Sequence, residues 1–281
     1  MNKKELKQLC ELSLKIHLKT GILLKKYQKK LSSLQTQSKK AQGVFTEADL
    51  KAEELIRNKI LKYYPSHHFL GEESSYGKYK SKKDMKKLSE KYEYLWIVDP
   101  LDGTNNFLNG SDYYAISMGL LHKGEVIFGM VSRPNTGECF YAYTDYKTKY
   151  IQNLSDPRPR NIFINNNKKK LKESILVTGF AAEKESVRNI EFSRFKKLMG
   201  KTRGIRRFGS AALDLCYVAS GLWDGFWEYG LAPWDTTAAQ IICENAGAIV
   251  VNYKDQEFSP FNDTIKVARS PLAKEFFSQV K

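Results

Sequence analysis

The chain has 281 residues, 42% of them hydrophobic, enough to bury a substantial core as one large domain or two fused halves. No stretch approaches the roughly eighteen consecutive apolar residues of a membrane span, and Met1-Asn2-Lys3-Lys4-Glu5 leads into an amphipathic pattern instead of a signal-peptide block, so a soluble, cytoplasmic protein is expected. The formal charge of +15, from 46 Lys and Arg against 31 Asp and Glu, is dominated by lysine in Lys78 to Lys91 and Lys168 to Lys172; these read as solvated loops that help attract an anion, since a nucleic-acid surface would interleave Arg with aromatics.

From Lys4 to about Leu34, Leu6, Leu9, Ile16, Leu23, Tyr27 and Leu31 recur at helical spacing, which predicts a long packing helix loosened locally by Gly21. Ser32 to Gly43 is a polar connector. Thr46-Glu47-Ala48-Asp49 opens a second helix through Ile60, with Thr at the cap and Asp three residues on, a variant of the capping box. His67-His68-Phe69-Leu70 reads as a short strand ending at Gly71-Glu72-Glu73-Ser74. The two histidines face opposite ways on such a strand and cannot easily chelate one ion. Cys10, Cys139, Cys216 and Cys243 sit in apolar contexts without metal-type spacing and read as buried free thiols.

The chain is organised around Leu95 to Gly110, LWIVDPLDGTNNFLNG. The apolar run Leu95-Trp96-Ile97-Val98 ends in Asp99-Pro100-Leu101-Asp102, which delivers two carboxylates at the end of a buried strand. Burying them unpaired is costly, so carboxylates so placed coordinate metal or pair with cations. Hard oxygen ligands of this kind, with the Leu101 carbonyl between them, suit Mg²⁺. Pro100 forbids simple continuation of the ladder, and Gly103-Thr104-Asn105 can expose N–H groups at a helix start, a natural phosphate cradle. Taken alone, Asp-Pro-x-Asp-Gly is also an ordinary turn.

Beyond it, Tyr113 to Leu121, Val126 to Ser132 and Cys139 to Thr144, joined by turns at Lys123-Gly124 and Asn135-Thr136-Gly137, predict an antiparallel meander. Strands and helices then alternate. The strands are Ile175 to Thr178, Ile205 to Phe208, Gly225 to Glu228, Ala248 to Asn252 and Ile265 to Ala268; the helices lie around Val187 to Met199, Ala211 to Ser220, Thr236 to Asn245 and after Pro271. That order predicts layered α/β structure. Gly209-Ser210-Ala211 can present amides to substrate oxygens at a helix start or be an ordinary N-cap, Asp214 reads as structural, and Asp235 heads a helix where capping is one reading.

DPLDGTNNF resembles the signature of the inositol monophosphatase family, the lithium-sensitive, Mg²⁺-dependent sugar and polyol phosphatases. Trp234-Asp235-Thr236-Thr237-Ala238-Ala239 followed by Glu244-Asn245-Ala246-Gly247-Ala248 is similar to the second family signature, and Gly71-Glu72-Glu73-Ser74 to the third element. The resemblance runs from about Leu6 to the C-terminus. It implies a sugar-phosphatase fold, an αβαβα sandwich forming one unit over 1–281, with a larger half to about residue 150 and a smaller one over 151–281. It also implies two or three Mg²⁺ ions, a homodimer, and a small phosphorylated polyol or sugar as substrate, inositol 1-phosphate foremost.

By the same resemblance Glu72, Asp99 and the Leu101 carbonyl hold one ion, and Asp99, Asp102 and Asp235 a second. Glu72 and Thr104 position the attacking water, with Asp49 orienting Thr104, and the amides of Gly103 and Thr104 hold phosphate. Asp102, Gly209, Ser210, Ala211, Glu228 and Asp235 meet the rest of the substrate. Glu73 is an outer acid or a ligand to a third ion, and Lys39 or Lys40 approaches the site from a loop. Thr178-Gly179-Phe180-Ala181-Ala182 stands where the animal enzymes have a serine, which leaves the alcohol half of the substrate open. Fructose 1,6-bisphosphate, histidinol phosphate, 3′-phosphoadenosine 5′-phosphate and NADP are substrates of relatives. No Cys-x5-Arg, P-loop or Ser-His-Asp arrangement competes. The alternative of another class is a basic protein on this fold that binds RNA or a transcription complex.

Overall fold

The structure, a computed structural model, describes residues 1–31, 36–38, 44–79, 81–163, 170–180 and 185–281, with backbone alone at 36–38 and 44–45. Helices α1 (Lys3–Gln28) and α2 (Glu47–Tyr63) are stopped at their N-termini by side chains. The Asn2 carboxamide oxygen accepts the N–H groups of Lys4 and Glu5, and Thr46 with Asp49 forms a reciprocal capping box. Gly21 does not loosen α1, which runs through it; a Cβ there would sit 3.4 Å from Pro134, so the glycine serves close packing. The helix ends at Gln28, short of Leu34, and the connector holds a small antiparallel pair, β1 (Thr36–Ser38) with β2 (Val44–Thr46).

Seven strands form the first sheet in chain order: β3 (His68–Gly71), β4 (Tyr94–Asp102), β5 (Ala115–His122), β6 (Glu125–Arg133), β7 (Glu138–Tyr143), β8 (Tyr146–Ile151) and β9 (Arg160–Asn161). Only β3 and β4 pair in parallel; the rest is the expected meander, extended by β8 and β9. Three helices interrupt its early strands: α3 (Glu72–Ser75), α4 (Lys82–Lys91) and α5 (Thr104–Leu108). Helix α4 corrects the loop expected over Lys78 to Lys91. Ser81 caps it, while Met85 and Leu88 pack beneath it against Leu70, Leu95 and Ile97. Two apolar residues among lysines give too weak a period to be read from sequence.

The second sheet has the order β11-β10-β12-β14-β13, from β10 (Ile175–Thr178), β11 (Gly204–Arg206), β12 (Gly225–Tyr229), β13 (Ala248–Val251) and β14 (Thr264–Arg269). Its helices are α6 (Glu185–Met199), α7 (Ala211–Ala219), α8 (Pro233–Asn245) and α9 (Ser270–Phe277). Strand alternation assigns the layers. Trp96 and Val98 join α1 and α2 in one core; Val131, Phe140, Val177 and Phe226 meet α7 and α8 in another; Leu176, Trp227 and Ala268 meet α9 and Leu198 in a third. Helices α7 and α8 therefore lie between the sheets, buried almost all round, and the layers run αβαβα. The four cysteines are buried and free, and no helix among the described residues is long and apolar enough to cross a membrane.

Candidate active site

Along β4, Leu95 and Ile97 face away from α1 and α2, and Asp99 continues their face. The ladder with β5 shifts between Asp99 and Asp102, where Pro100 has no N–H to donate, so a short stretch carries both carboxylates out of regular pairing. Opposite Asp99 in the ladder, Ser117 donates its hydroxyl to the Trp234 carbonyl at 3.0 Å, which ties the first turn of α8 to the first sheet. Ligand atoms of Asp99, Asp102 and Asp235 thereby lie within 4.8 Å of one another. Asp235 also caps its helix by accepting the Ala232 N–H at 2.7 Å, which leaves its other carboxylate oxygen available to the cluster.

Electrostatics resist this crowding. Burial first, and then the charge of Glu72, push the Asp99 carboxyl well above its ordinary range; burial and then Asp102 do the same to Asp235. Burial lifts Asp102 to about 6 against the pull of hydrogen bonds from Ser210 and Ala212. Those bonds give the Gly209-Ser210-Ala211 turn a role beside the one expected of its amides. The Ser210 hydroxyl (2.6 Å) and the Ala212 amide (2.8 Å) hold Asp102, because a buried carboxylate takes the donors of the nearest helix start before any ligand does. Gly103 stands against the same turn with φ of 94°, and a Cβ on it would meet the Gly209 carbonyl at 3.1 Å; no other residue type suits that position.

Glu72 is half-buried at the start of α3, outside the three-carboxylate group but close enough to act on each of its members. Its turn is held by a residue the sequence did not disclose: Glu53 accepts the amides of Glu73 (2.8 Å) and Ser74 (2.9 Å). Glu53 lies one helical turn beyond Asp49, on the same buried face of α2, and that spacing was the available signal. Asp49 caps α2 through one oxygen and takes the Thr104 hydroxyl at 3.2 Å on the other. The Leu101 carbonyl lies 3.1 Å from the same hydroxyl. With one proton, Thr104 donates to one of them at a time and keeps lone pairs for a water.

Between the sheets Asp102 and Asp235 share a cavity of about 170 Å³ with Gly209, Ser210, Ala211, Asp214 and Glu228. Glu228 is buried, its carboxyl pushed well above the usual range by desolvation and then by Asp214. A Cβ on Gly179 would come within 2.3 Å of it, so the Glu228 carboxyl occupies the space that any side chain at that position would need. Asp214 accepts the Tyr113 hydroxyl at 2.6 Å and also lines the cavity, as does Arg207, which sequence reading passed over. His67 accepts from the Trp96 indole at 3.1 Å and stacks on Tyr94, and His68 stacks on Tyr92, so both serve packing. Lys39, Lys40, Lys168, Lys169, Ala181 and Ala182 lie outside the described residues.

Carboxylate oxygens alone, without Cys or His, fit a hard divalent cation, and the mutual repulsion of these acids is what such an ion relieves. Fold and cluster together define a two-sheet α/β protein with a candidate metal centre between its layers. The chain belongs to the inositol monophosphatase family, whose family model matches residues 5–280. It is 34% identical over 223 residues to the inositol-1-monophosphatase of Rhizobium meliloti, covering 77% of this chain and 75% of that one. With the Nus factor SuhB of Pseudomonas aeruginosa it shares 33% identity over 241 residues, 83% of this chain and 81% of the other. The crystal structure of the extragenic suppressor protein SuhB from Bartonella henselae superposes with a TM-score of 0.84 at 27% identity, over 98% of both chains.

Proposed function

We propose that the protein is a Mg²⁺-dependent phosphatase that hydrolyses a small polyol or sugar monophosphate, with inositol 1-phosphate the leading substrate. The observation that carries this reading is the convergence of Asp99, Asp102 and Asp235 within 4.8 Å beside the left-handed turn at Gly103. Two or three bound ions would supply neutralised phosphate charge, a more acidic water and a stabilised leaving oxygen. Glu72, Asp99 and the Leu101 carbonyl would hold one ion, and Asp99, Asp102 and Asp235 another. The Gly103 and Thr104 amides face the phosphate, Thr104 and Glu72 orient the water, and Asp49 orients Thr104. Ser210 and the start of α7 keep Asp102 ionised and in place. Glu228, a desolvated acceptor, takes hydrogen bonds from hydroxyls of the leaving alcohol and disfavours a second phosphate there.

The test is phosphate release from a panel of phosphomonoesters with Mg²⁺, repeated after chelation. Inositol 1-phosphate should exceed fructose 1,6-bisphosphate and 3′-phosphoadenosine 5′-phosphate, and chelation should stop all release; the reverse ranking sinks the substrate reading. Thr104→Ala should lower kcat by roughly 10²-fold with KM little changed, because a water is oriented chiefly in the transition state. A raised KM at unchanged kcat would move Thr104 from catalysis to binding.

A second reading, binding to RNA or to a transcription complex, is favoured by the relative named a Nus factor and by the charge of +15. Salt-sensitive RNA binding without Mg²⁺-dependent phosphate release would select it.

A further inference from the structure

Three elements that bear candidate ligands end over one small apolar cluster. Leu70 stands two residues before Glu72, Ile97 two before Asp99, and Trp234 immediately before Asp235, and all three pack together with Leu95 and Leu121. Met85 and Leu88 of α4 form part of the outer wall, beside Tyr79, Ala232 and Phe261. Helix α4 is otherwise polar and largely exposed, so this cluster is what seats it on the protein.

The first turn of α4 has a second attachment. Lys82 Nζ donates to the Asn262 carbonyl at 2.8 Å and pairs with the Asp263 carboxylate at 3.3 Å. The Asp263 carbonyl in turn accepts the Gly230 N–H at 2.7 Å, in the segment that leads into α8 and Asp235. Lys82 is 19% exposed on its side chain, whereas Lys86 and Lys87 of the same helix are 56% and 64% exposed. One lysine of a solvated basic helix has thus been taken out of water and fastened to the chain that precedes Asp235.

We infer that α4 is a strut that fixes the spacing of Glu72, Asp99 and Asp235, and that Lys82, acting through Asn262 and Asp263, is its pin and a positioning residue for the metal site. The inference rests on the proposed metal-dependent chemistry. Groups outside the coordination sphere that orient ligands commonly govern how well the sphere holds its ion. Charge and geometry here predict opposite signs. The Lys82 ammonium opposes an added cation near Asp235, so by charge alone its removal tightens metal binding. Loss of the pin lets the ligand-bearing ends drift, so by geometry its removal weakens binding.

The experiment is calorimetric titration of Mn²⁺ into the substrate-free full chain, in parallel with thermal melting and with kcat and KM at saturating and limiting metal. Lys82→Met should weaken Mn²⁺ binding roughly tenfold, and its lost turnover should return at high metal. The pair Met85→Ala and Leu88→Ala should weaken binding likewise without touching charge, and Lys82→Arg should recover most of the affinity. Leu198→Ala, a cavity in the outer layer of the other sheet, should lower the melting temperature and leave Mn²⁺ affinity as it was. Tighter or unchanged binding in Lys82→Met, or equal weakening in Leu198→Ala, overturns the strut alone. A wild-type protein that takes up no divalent ion overturns the metal reading and the strut together.

Discussion

Asp99→Asn should abolish phosphate release, by roughly 10³-fold or more, while the protein stays folded. The substitution keeps the volume and removes one anionic oxygen that two ions would share, and several kcal/mol of charge stabilisation go with a catalytic metal. Its second effect is opposite in sign. Asp99, Asp102 and Asp235 all have carboxyls raised by burial and then by neighbouring acids, Glu72 acting on all three, so the metal-free protein holds their charges at a cost. A raised acid binds its proton more tightly folded than unfolded, so its stability contribution is fully present below the unfolded value and lost as pH rises through the folded one. For Asp102 that window runs from about 4 to about 6. Metal-free wild type should therefore melt lower at pH 7.5 than at pH 5, and Asp99→Asn should narrow the difference. Melting curves at both pH values, with chelator, decide it; a metal-free variant less stable than wild type at pH 7.5 contradicts the account.

Asp224→Ala should be the most destabilising single change outside the site. Asp224 is buried between β10 and β14, where one oxygen accepts the Ile175 N–H at 2.8 Å and the carboxylate pairs with the buried Arg269. Removing one partner of a buried pair strands the other charge, which costs about 3–5 kcal/mol. The melting temperature should fall by roughly 10 °C in a chain of this size. Replacing both residues, Asp224→Leu with Arg269→Met, should restore much of the loss, because the stranded charge is gone. A single variant that melts within a degree or two of wild type would show the pair to be dispensable.

The sequence disclosed what is local. An apolar run that stops at Asp99-Pro100-Leu101-Asp102-Gly103 announces a strand end with two acids, and the structure sets Asp99 and Asp102 beside Asp235, which only the family resemblance had joined to them. The Asp49 cap was legible from its neighbours, whereas its contact with Thr104 came only from the family resemblance; the two coexist because they use different oxygens. Partners remote in the chain were not legible. Nothing near Ser210 says that its hydroxyl belongs to Asp102, and although its spacing from Asp49 places Glu53 on the buried face of α2, nothing local says that it accepts the Glu73 and Ser74 amides. Helix α4 escaped because its stabilisation comes from tertiary packing of two residues, not from a repeated apolar face.

The bonds from Ser210 and Ala212 to Asp102 span 108 and 110 residues of chain. A contact of that separation forms only after the entropy of a long intervening loop has been given up, and contacts of this kind slow folding. The carboxylate cluster is therefore expected to form late in folding, once α7 is in place against the first sheet. An ion that recognises only the finished cluster has little to grip in the folding transition state. It should act on the clock in one direction, lengthening the lifetime of the native protein while leaving the rate of refolding almost as it was.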